Sequence, residues 1–260
     1  MKKIMLIGYG AMAQEVIAHL PQGISIGWIV ARAGHHPSIL AQFNQQTEPL
    51  LSPADCRERP DLVLECASQQ AVAQFAAMVL QRGWTLAVIS TGALADAQLE
   101  QHLITLRQQT GGRLRLLAGA VAGMDGLASA REGGLEQVVY QSRKSPASWR
   151  GSHAEKLVNL AQVSEARVFF HGSAREAARL FPANANVAAT IALAGIGMDE
   201  TEVQLMVDPA TTRNTHRLYA RGRFGEMQLE LSGFPLGTNP KTSTLAALSA
   251  VQACRQLLEE

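Results

Sequence analysis

The start of the chain constrains the fold more than any other segment. A short, mainly apolar segment over residues 3–7 leads directly into Gly8-Tyr9-Gly10-Ala11-Met12-Ala13, which has the form G-x-G-x-x-A. The first glycine of this pattern permits a tight turn, the second lets the backbone approach a pyrophosphate, and the small last residue lets a helix pack closely on the strand. The first N–H groups of that helix can bind phosphate oxygens. The pattern therefore predicts a strand, a turn and a helix that bind a dinucleotide, with Gly8, Gly10, Ala11 and Met12 at the cofactor.

Apolar strands and helical segments continue to alternate through the first half. The sequence predicts further strands at 24–30, 62–66, 85–90 and 114–118, and helices at 71–81 and 97–108. Continuous apolar runs are typical of strands buried on both faces. Strand and helix alternation indicates right-handed crossovers into a parallel sheet. We therefore predict that residues 1–119 form an α/β Rossmann domain with a doubly wound parallel sheet.

The pattern changes after Gly119. Strands with partial polar alternation are predicted at 135–144, 166–172, 202–207, 216–222 and 226–232, with helices at 174–180, 186–195 and 243–258. Such alternation indicates a sheet with one covered face. Residues 120–240 are thus predicted to form an α+β catalytic and dimerisation domain with a mixed, mainly antiparallel sheet. We expect the helix within 241–260 to pack back on the first domain.

Composition and charge narrow the class of partner. The 260 residues are 47% hydrophobic and 17% charged, which favours a packed core. A net charge of +1 without a long basic run gives no footprint for nucleic acid or an anionic membrane surface. Glycines interrupt the first apolar run, unlike that of a signal peptide, and no run of apolar residues approaches the ~18 residues that a membrane-spanning helix needs. These features predict a cytoplasmic protein with a small-molecule substrate.

Cysteine usage predicts neither a disulfide framework nor a metal site. Cys56, Cys66 and Cys254 are odd in number, lack C-x-x-C spacing and have no clustered histidines beside them. We expect reduced thiols that are mostly buried, and no bound metal.

The end of the second strand bears on cofactor choice. An NAD-specific site usually places Asp or Glu there to hold the ribose 2′-hydroxyl, whereas this chain has Val30-Ala31-Arg32. Arg32 can instead face a 2′-phosphate, which predicts use of NAD or NADP; the alternative is a solvated surface arginine. Later strand ends supply further candidate cofactor contacts, namely Cys66, Ala67, Ser68, Ser90 and Thr91.

Two polar positions in the second half are candidates for chemistry. Asn184 and Asn186 begin a helix of small residues, where Asn184 suits a helix cap and Asn186 can reach a cofactor amide. Alternation along residues 216–222 places His216 on the same inward face as Leu218 and Ala220. A histidine there is either a core residue or a group for proton transfer near neutral pH.

Linked motifs across nearly the whole chain resemble the L-aspartate dehydrogenase family. In order they are GYGAMA, DLVLECAS, VISTGAL, LAGAVAGMDGL, GSAREAARLFPANANVAAT, the NTH that contains His216, and NPKTS. The resemblance implies NAD(P)-dependent oxidative deamination of L-aspartate to iminoaspartate, which hydrolyses to oxaloacetate and ammonia. It further implies a role in NAD biosynthesis, a homodimer, cofactor contacts at Ala120 and Asn186, and an active-site role for His216.

The substrate would carry two carboxylates, which require donors or a cation. Lys241, Thr242 and Ser243 lie in NPKTS at the predicted start of the final helix, where N–H groups favour anions; the alternative for Lys241 is solvent exposure. Two other functions stay open at this point. One is a reductase resembling dihydrodipicolinate reductase, and the other is a dinucleotide-binding regulator without turnover.

Overall fold

The computed structural model describes residues 1–182, 185–237 and 239–259, and for Pro240 and Lys241 it describes the backbone alone. The chain divides into two compact units. Unit 1 comprises Met1–Leu117 together with the described residues from Ala247 onward, and unit 2 comprises Ala118–Ala246. Among the described residues, no helix is long and apolar enough to cross a membrane.

Unit 1 is built on a six-stranded parallel sheet with the strand order β3-β2-β1-β4-β5-β6. Its elements are β1 (Lys2–Ile7), α1 (Ala11–Ala18), β2 (Ile24–Val30), α2 (His36–Gln42), β3 (Glu48–Leu50), β4 (Leu62–Glu65), α3 (Gln69–Gln81), β5 (Thr85–Val88), α4 (Ala97–Thr110) and β6 (Arg113–Leu116). This confirms the predicted doubly wound parallel sheet. The order reverses beside β1, and open α/β sheets bind ligands at such a switch point.

Burial and capping explain the elements of unit 1. Every residue of β4 is buried, as expected for a central parallel strand. Ser68 caps α3 by accepting the Ala71 N–H at 3.2 Å, and Asp96 caps α4 by accepting two N–H groups. The helix α2 and the strand β3 were not predicted, because each is short and β3 contains Pro49.

Unit 2 contains a five-stranded sheet with the strand order β11-β10-β7-β9-β8. Its elements are α5 (Met124–Glu132), β7 (Leu135–Lys144), α6 (Pro146–Trp149), β8 (Arg167–Ser173), α7 (Ala174–Leu180), α8 (Asn186–Ala194), β9 (Glu202–Val207), β10 (Asn214–Gly222) and β11 (Gly225–Gly233). β7 and β9 are parallel and the other pairs are antiparallel. The prediction of a mixed, mainly antiparallel sheet is therefore confirmed. Helix α8 packs against α5, α7 and β7.

The segment before the last helix corrects one prediction. β12 (Pro235–Leu236) pairs with β13 (Asn239–Ser243), and α9 (Thr244–Gln256) begins only afterwards. Lys241, Thr242 and Ser243 were expected at the start of that helix, but they lie in a strand. Pairing with β12 holds this segment extended up to the Thr244 N–H, which donates to the Phe234 carbonyl at 3.0 Å. Lys241 and Thr242 therefore supply no helix-terminal N–H groups.

Candidate functional site

A cleft of about 570 Å³ opens in unit 1 at the carboxyl ends of β1, β2 and β4. This is the side of the sheet where the strand order reverses. The cleft includes six of the predicted cofactor positions, namely Gly8, Gly10, Arg32, Cys66, Ala67 and Ser68. It also includes residues that the sequence did not single out, among them Tyr9, His35, Gln70 and Gln74.

The two glycines of the motif, Gly8 and Gly10, are required for different structural reasons. Gly8 has φ +111°, and a Cβ on it would lie 2.9 Å from the Ala67 Cβ, so a larger residue would be both strained and crowded. A Cβ on Gly10 would meet no described atom within 4 Å, because this glycine borders the open cleft. Helix α1 starts here, and its first intrahelical bond joins the Gln14 N–H to the Gly10 carbonyl at 3.0 Å. The N–H groups of Ala11 and Met12 precede that bond and are suited to an anion.

The far end of the cleft is cationic and aromatic. Arg32 is the second residue after β2 and is exposed. His35 lies beside it on the cleft and packs edge-on against the Tyr9 ring, with centroids 5.7 Å apart. The Tyr9 hydroxyl hydrogen-bonds to Gln42, which fixes the ring. The sequence signal for this end was Arg32 alone, because the contact between Tyr9 and His35 depends on the turn after β2.

A buried carboxylate ties together the loops after β4 and β5. Glu65 is 1% exposed. One oxygen accepts the Ala67 N–H at 2.8 Å and the Ser90 hydroxyl at 2.9 Å; the other accepts the Ser90 N–H at 3.0 Å and the Ile89 N–H at 3.3 Å. Burial raises the pKa of this carboxyl, and this effect outweighs that of the hydrogen bonds, which lower the pKa. Glu65 thus holds one wall of the cleft in place.

The strand ends around Glu65 differ in how far they face the cleft. Ser90 is 5% exposed with its hydroxyl directed at Glu65, and Thr91 is fully buried. Neither is on the cleft surface, so the predicted cofactor contact of these two residues stays a prediction. The prediction for the cysteines is confirmed, because Cys56, Cys66 and Cys254 are free and buried. Burial raises the pKa of all three thiols.

His216 lies inside unit 2 on β10, on the inward face that the alternation predicted. It is 8% exposed, and its Nδ1 is 2.7 Å from the Tyr140 hydroxyl oxygen on the neighbouring β7. Both side chains border a small cavity of about 50 Å³. The backbone segment after Ala120 reaches the same cavity through Val121 and Ala122. The structure therefore brings the loop of one predicted cofactor residue next to the predicted catalytic histidine.

The electrostatics around His216 keep its imidazole neutral. Burial, and secondly the positive charge of Lys144, lower the pKa of His216 from 6.5 to about 3. Burial also lowers the pKa of Lys144 to about 8, and the Lys144 Nζ lies 5.2 Å from the centre of the Trp149 ring. At neutral pH His216 therefore has a nitrogen lone pair with which to accept a proton.

The other predicted site residues of unit 2 lie at the start of α8 and on β13, and the structure describes only some of their side chains. Asn186 is the first residue of α8, as predicted, whereas Asn184 lies outside the described residues. On β13, Asn239 Nδ2 donates to the Thr242 hydroxyl at 3.0 Å. The Ser243 hydroxyl is buried without a partner among the described atoms, and the Lys241 side chain lies outside the described part. No cluster of three or more His, Cys, Asp or Glu side chains suited to a metal is found in the described residues.

Comparison with known proteins places the chain in a family. Residues 125–257 match the family model for the C-terminal part of aspartate dehydrogenase, and residues 8–117 match that for the NAD-binding domain of homoserine dehydrogenase. The L-aspartate dehydrogenase of Serratia proteamaculans is 70% identical over 259 residues, which cover 100% of this chain and 98% of that protein. The chain belongs to the L-aspartate dehydrogenase family. The family's protein from Acinetobacter baylyi is 52% identical over 259 residues, with the same coverage.

Solved structures show the same fold as this L-aspartate dehydrogenase family member. The crystal structure of aspartate dehydrogenase from Thermotoga maritima aligns with a TM-score of 0.76 and 23% identity over 99% of this chain and 97% of that one. An amine dehydrogenase from Mycobacterium smegmatis aligns with a TM-score of 0.58 and 13% identity over 100% and 93%. The resemblance read from the sequence motifs is confirmed.

Proposed function

We propose that the chain is an NAD(P)-dependent L-aspartate dehydrogenase, which oxidises L-aspartate to iminoaspartate; hydrolysis then gives oxaloacetate and ammonia. Full-length membership of the L-aspartate dehydrogenase family is the observation that carries this proposal. It favours this function over a reductase resembling dihydrodipicolinate reductase or a regulator without turnover. The buried, neutral His216 beside a small cavity supplies the base that the reaction needs.

The cleft of unit 1 fits a nicotinamide dinucleotide. The open side of Gly10 and the first N–H groups of α1, from Ala11 and Met12, suit a pyrophosphate. Arg32 lies where it can pair with a 2′-phosphate, which supports use of NADP as well as NAD. When bound, the nicotinamide ring accepts a hydride. The predicted contacts of Ala120, Asn186, Ser90 and Thr91 are part of the proposal.

In the proposed reaction His216 handles the proton. As hydride leaves Cα with its electron pair, the bond between Cα and nitrogen becomes double, and the nitrogen releases one proton to give a neutral imine. His216 accepts that proton, directly or through one water, and returns it in the reverse reaction. The carboxylates of bound aspartate would raise the pKa of His216 and so strengthen it as a base.

Selection of aspartate requires a group that recognises its second carboxylate. Lys241, Thr242 and Ser243 stay the candidates, now as residues of a strand rather than of a helix start. A cation and a hydroxyl donor on this strand suit a carboxylate. The role in NAD biosynthesis, the homodimer and the cytoplasmic location also belong to the proposal.

Product analysis tests the proposed function. Purified protein with NAD or NADP should form reduced cofactor when L-aspartate is added, together with equal amounts of oxaloacetate and ammonia. D-aspartate and L-alanine serve as controls and should react far more slowly, since one has the wrong configuration and the other lacks the second carboxylate. Reduced cofactor formed equally well from L-alanine, or none from L-aspartate, would contradict the proposal.

A further inference from the structure

Tyr140 is the side chain that fixes the histidine ring. Its hydroxyl oxygen lies 2.7 Å from His216 Nδ1, and the two rings are nearly parallel, at 18°. Tyr140 is 1% exposed and comes from β7, the antiparallel neighbour of β10. In the described part of the chain, the hydrogen bond of His216 is at Nδ1, and none is made by Nε2. The ring is thus held by one nitrogen.

The proposed role of His216 as a base decides which of its nitrogens carries the proton. A neutral imidazole has one N–H, so either Tyr140 donates to Nδ1 and Nε2 is protonated, or the Nδ1–H donates to Tyr140 and Nε2 has a free lone pair. In the second arrangement the phenol proton needs another acceptor. Ser142 brings a buried hydroxyl to the same face of the sheet: it is 2% exposed and lies opposite His216 in the register of β7 and β10. Only the second arrangement leaves Nε2 unprotonated, as the proposed role of His216 as a base requires.

We propose that Tyr140 is a positioning residue for His216, which accepts the Nδ1–H and so presents an unprotonated Nε2 to the substrate. The inference rests on the proposed acid–base role of His216. Burial holds the pKa of Tyr140 well above its usual range, so the phenol stays neutral and does not act as the base itself. When Nε2 gains the substrate proton, the Nδ1–H already has its acceptor, and no group has to turn.

The variant Tyr140→Phe tests this role in catalysis. It keeps the ring and its packing but removes the hydroxyl, so turnover with L-aspartate should fall about 10- to 100-fold while the dissociation constant of the cofactor is unchanged. Tyr219→Phe is the matched control, because this phenol lies on the opposite face of β10, and it should keep wild-type turnover. Wild-type turnover in Tyr140→Phe would overturn the proposal.

Nitrogen-15 NMR of histidine-labelled protein tests the proton position without substrate. Wild-type His216, assigned by its loss in His216→Gln, should show a protonated Nδ1 and an unprotonated Nε2, and Tyr140→Phe should lose this preference. A wild-type His216 protonated at Nε2 would overturn the inference, even if Tyr140→Phe misfolds. This measurement does not depend on turnover. Failure of the wild type to oxidise L-aspartate would therefore count against the proposed function. The tautomer of His216 would still show whether Tyr140 accepts its Nδ1–H.

Discussion

At the scale of single residues, His216 combines deep burial with a titratable ring. The His216 ring lies on the inward face of β10 in unit 2, whereas the cofactor cleft is lined by residues of unit 1. Removing the ring should therefore remove the proposed base and leave the cleft unchanged. We expect His216→Ala to lower turnover by about two to four orders of magnitude and to leave cofactor affinity unchanged. Steady-state kinetics and cofactor titration measure both. His171→Ala, at an exposed histidine of β8, is the control; near-normal turnover in a folded His216→Ala protein would remove His216 from the acid–base role.

The same residue predicts how stability depends on pH. The folded pKa of His216 is lowered from 6.5 to about 3, so between these values the unfolded chain binds a proton that the folded chain does not. Stability is then retained above pH 6.5 and lost as the pH falls toward 3, by up to about 1.4 kcal/mol per pH unit. Urea unfolding across this range should show a shallower loss for His216→Gln. The exposed control His102→Gln should follow the wild type, and an equal slope in all three proteins would contradict the burial argument.

Arg32 carries the prediction on cofactor choice. It is exposed at the end of β2 on the cleft, where a 2′-phosphate would pair with its guanidinium. The wild type should accept NADP at least comparably to NAD, and Arg32→Glu should shift the ratio of catalytic efficiencies toward NAD. Arg107→Glu, an exposed arginine on α4 away from the cleft, is the matched control. An unchanged ratio in Arg32→Glu would show that this residue does not read the 2′ position.

At the scale of elements, Glu65 connects the loops after β4 and β5. Glu65→Gln replaces an acceptor oxygen with an NH₂ group that faces N–H donors, so at least one buried hydrogen bond is lost. We expect about 1 to 3 kcal/mol of lost stability and weaker cofactor binding. Urea unfolding and cofactor titration measure these. Glu58→Gln, which affects an exposed ion pair with Lys3, should change stability little. Wild-type behaviour of Glu65→Gln would show that the carboxylate does not hold the cleft wall.

The elements also show what local sequence could predict. Buried runs such as Ile24–Val30 and the alternating strand Leu135–Lys144 were predicted with their observed bounds, because their periodicity reports burial directly. The strand β13 was taken for part of a helix, since its extended form depends on pairing with Pro235–Leu236. Glu65 and Tyr140 were missed as functional residues for a related reason. Their partners are distant in sequence, and local patterns do not show which residues meet across a sheet.

At the scale of the whole molecule, the groups proposed to bind the cofactor and to accept the proton lie in different units. Unit 1 contains the glycine-lined cleft proposed to bind the dinucleotide, and unit 2 contains His216 hydrogen-bonded to Tyr140. Many enzymes with different activities share a Rossmann unit, and the residue proposed to accept the substrate proton, His216, lies in unit 2. The change of sequence pattern after Gly119 predicted a parallel sheet followed by a mixed, mainly antiparallel sheet, and both sheets are observed.

The central claim is that hydride moves from Cα of L-aspartate to the nicotinamide ring. Transfer of isotope tests it most directly: L-aspartate deuterated at Cα is incubated with the protein and NAD or NADP, and the reduced cofactor is analysed by mass spectrometry and NMR. We predict one deuterium at C4 of the nicotinamide ring in every reduced molecule, and ordinary hydrogen there when unlabelled L-aspartate is used. Reduced cofactor without deuterium, or no reduction by L-aspartate, would contradict the claim.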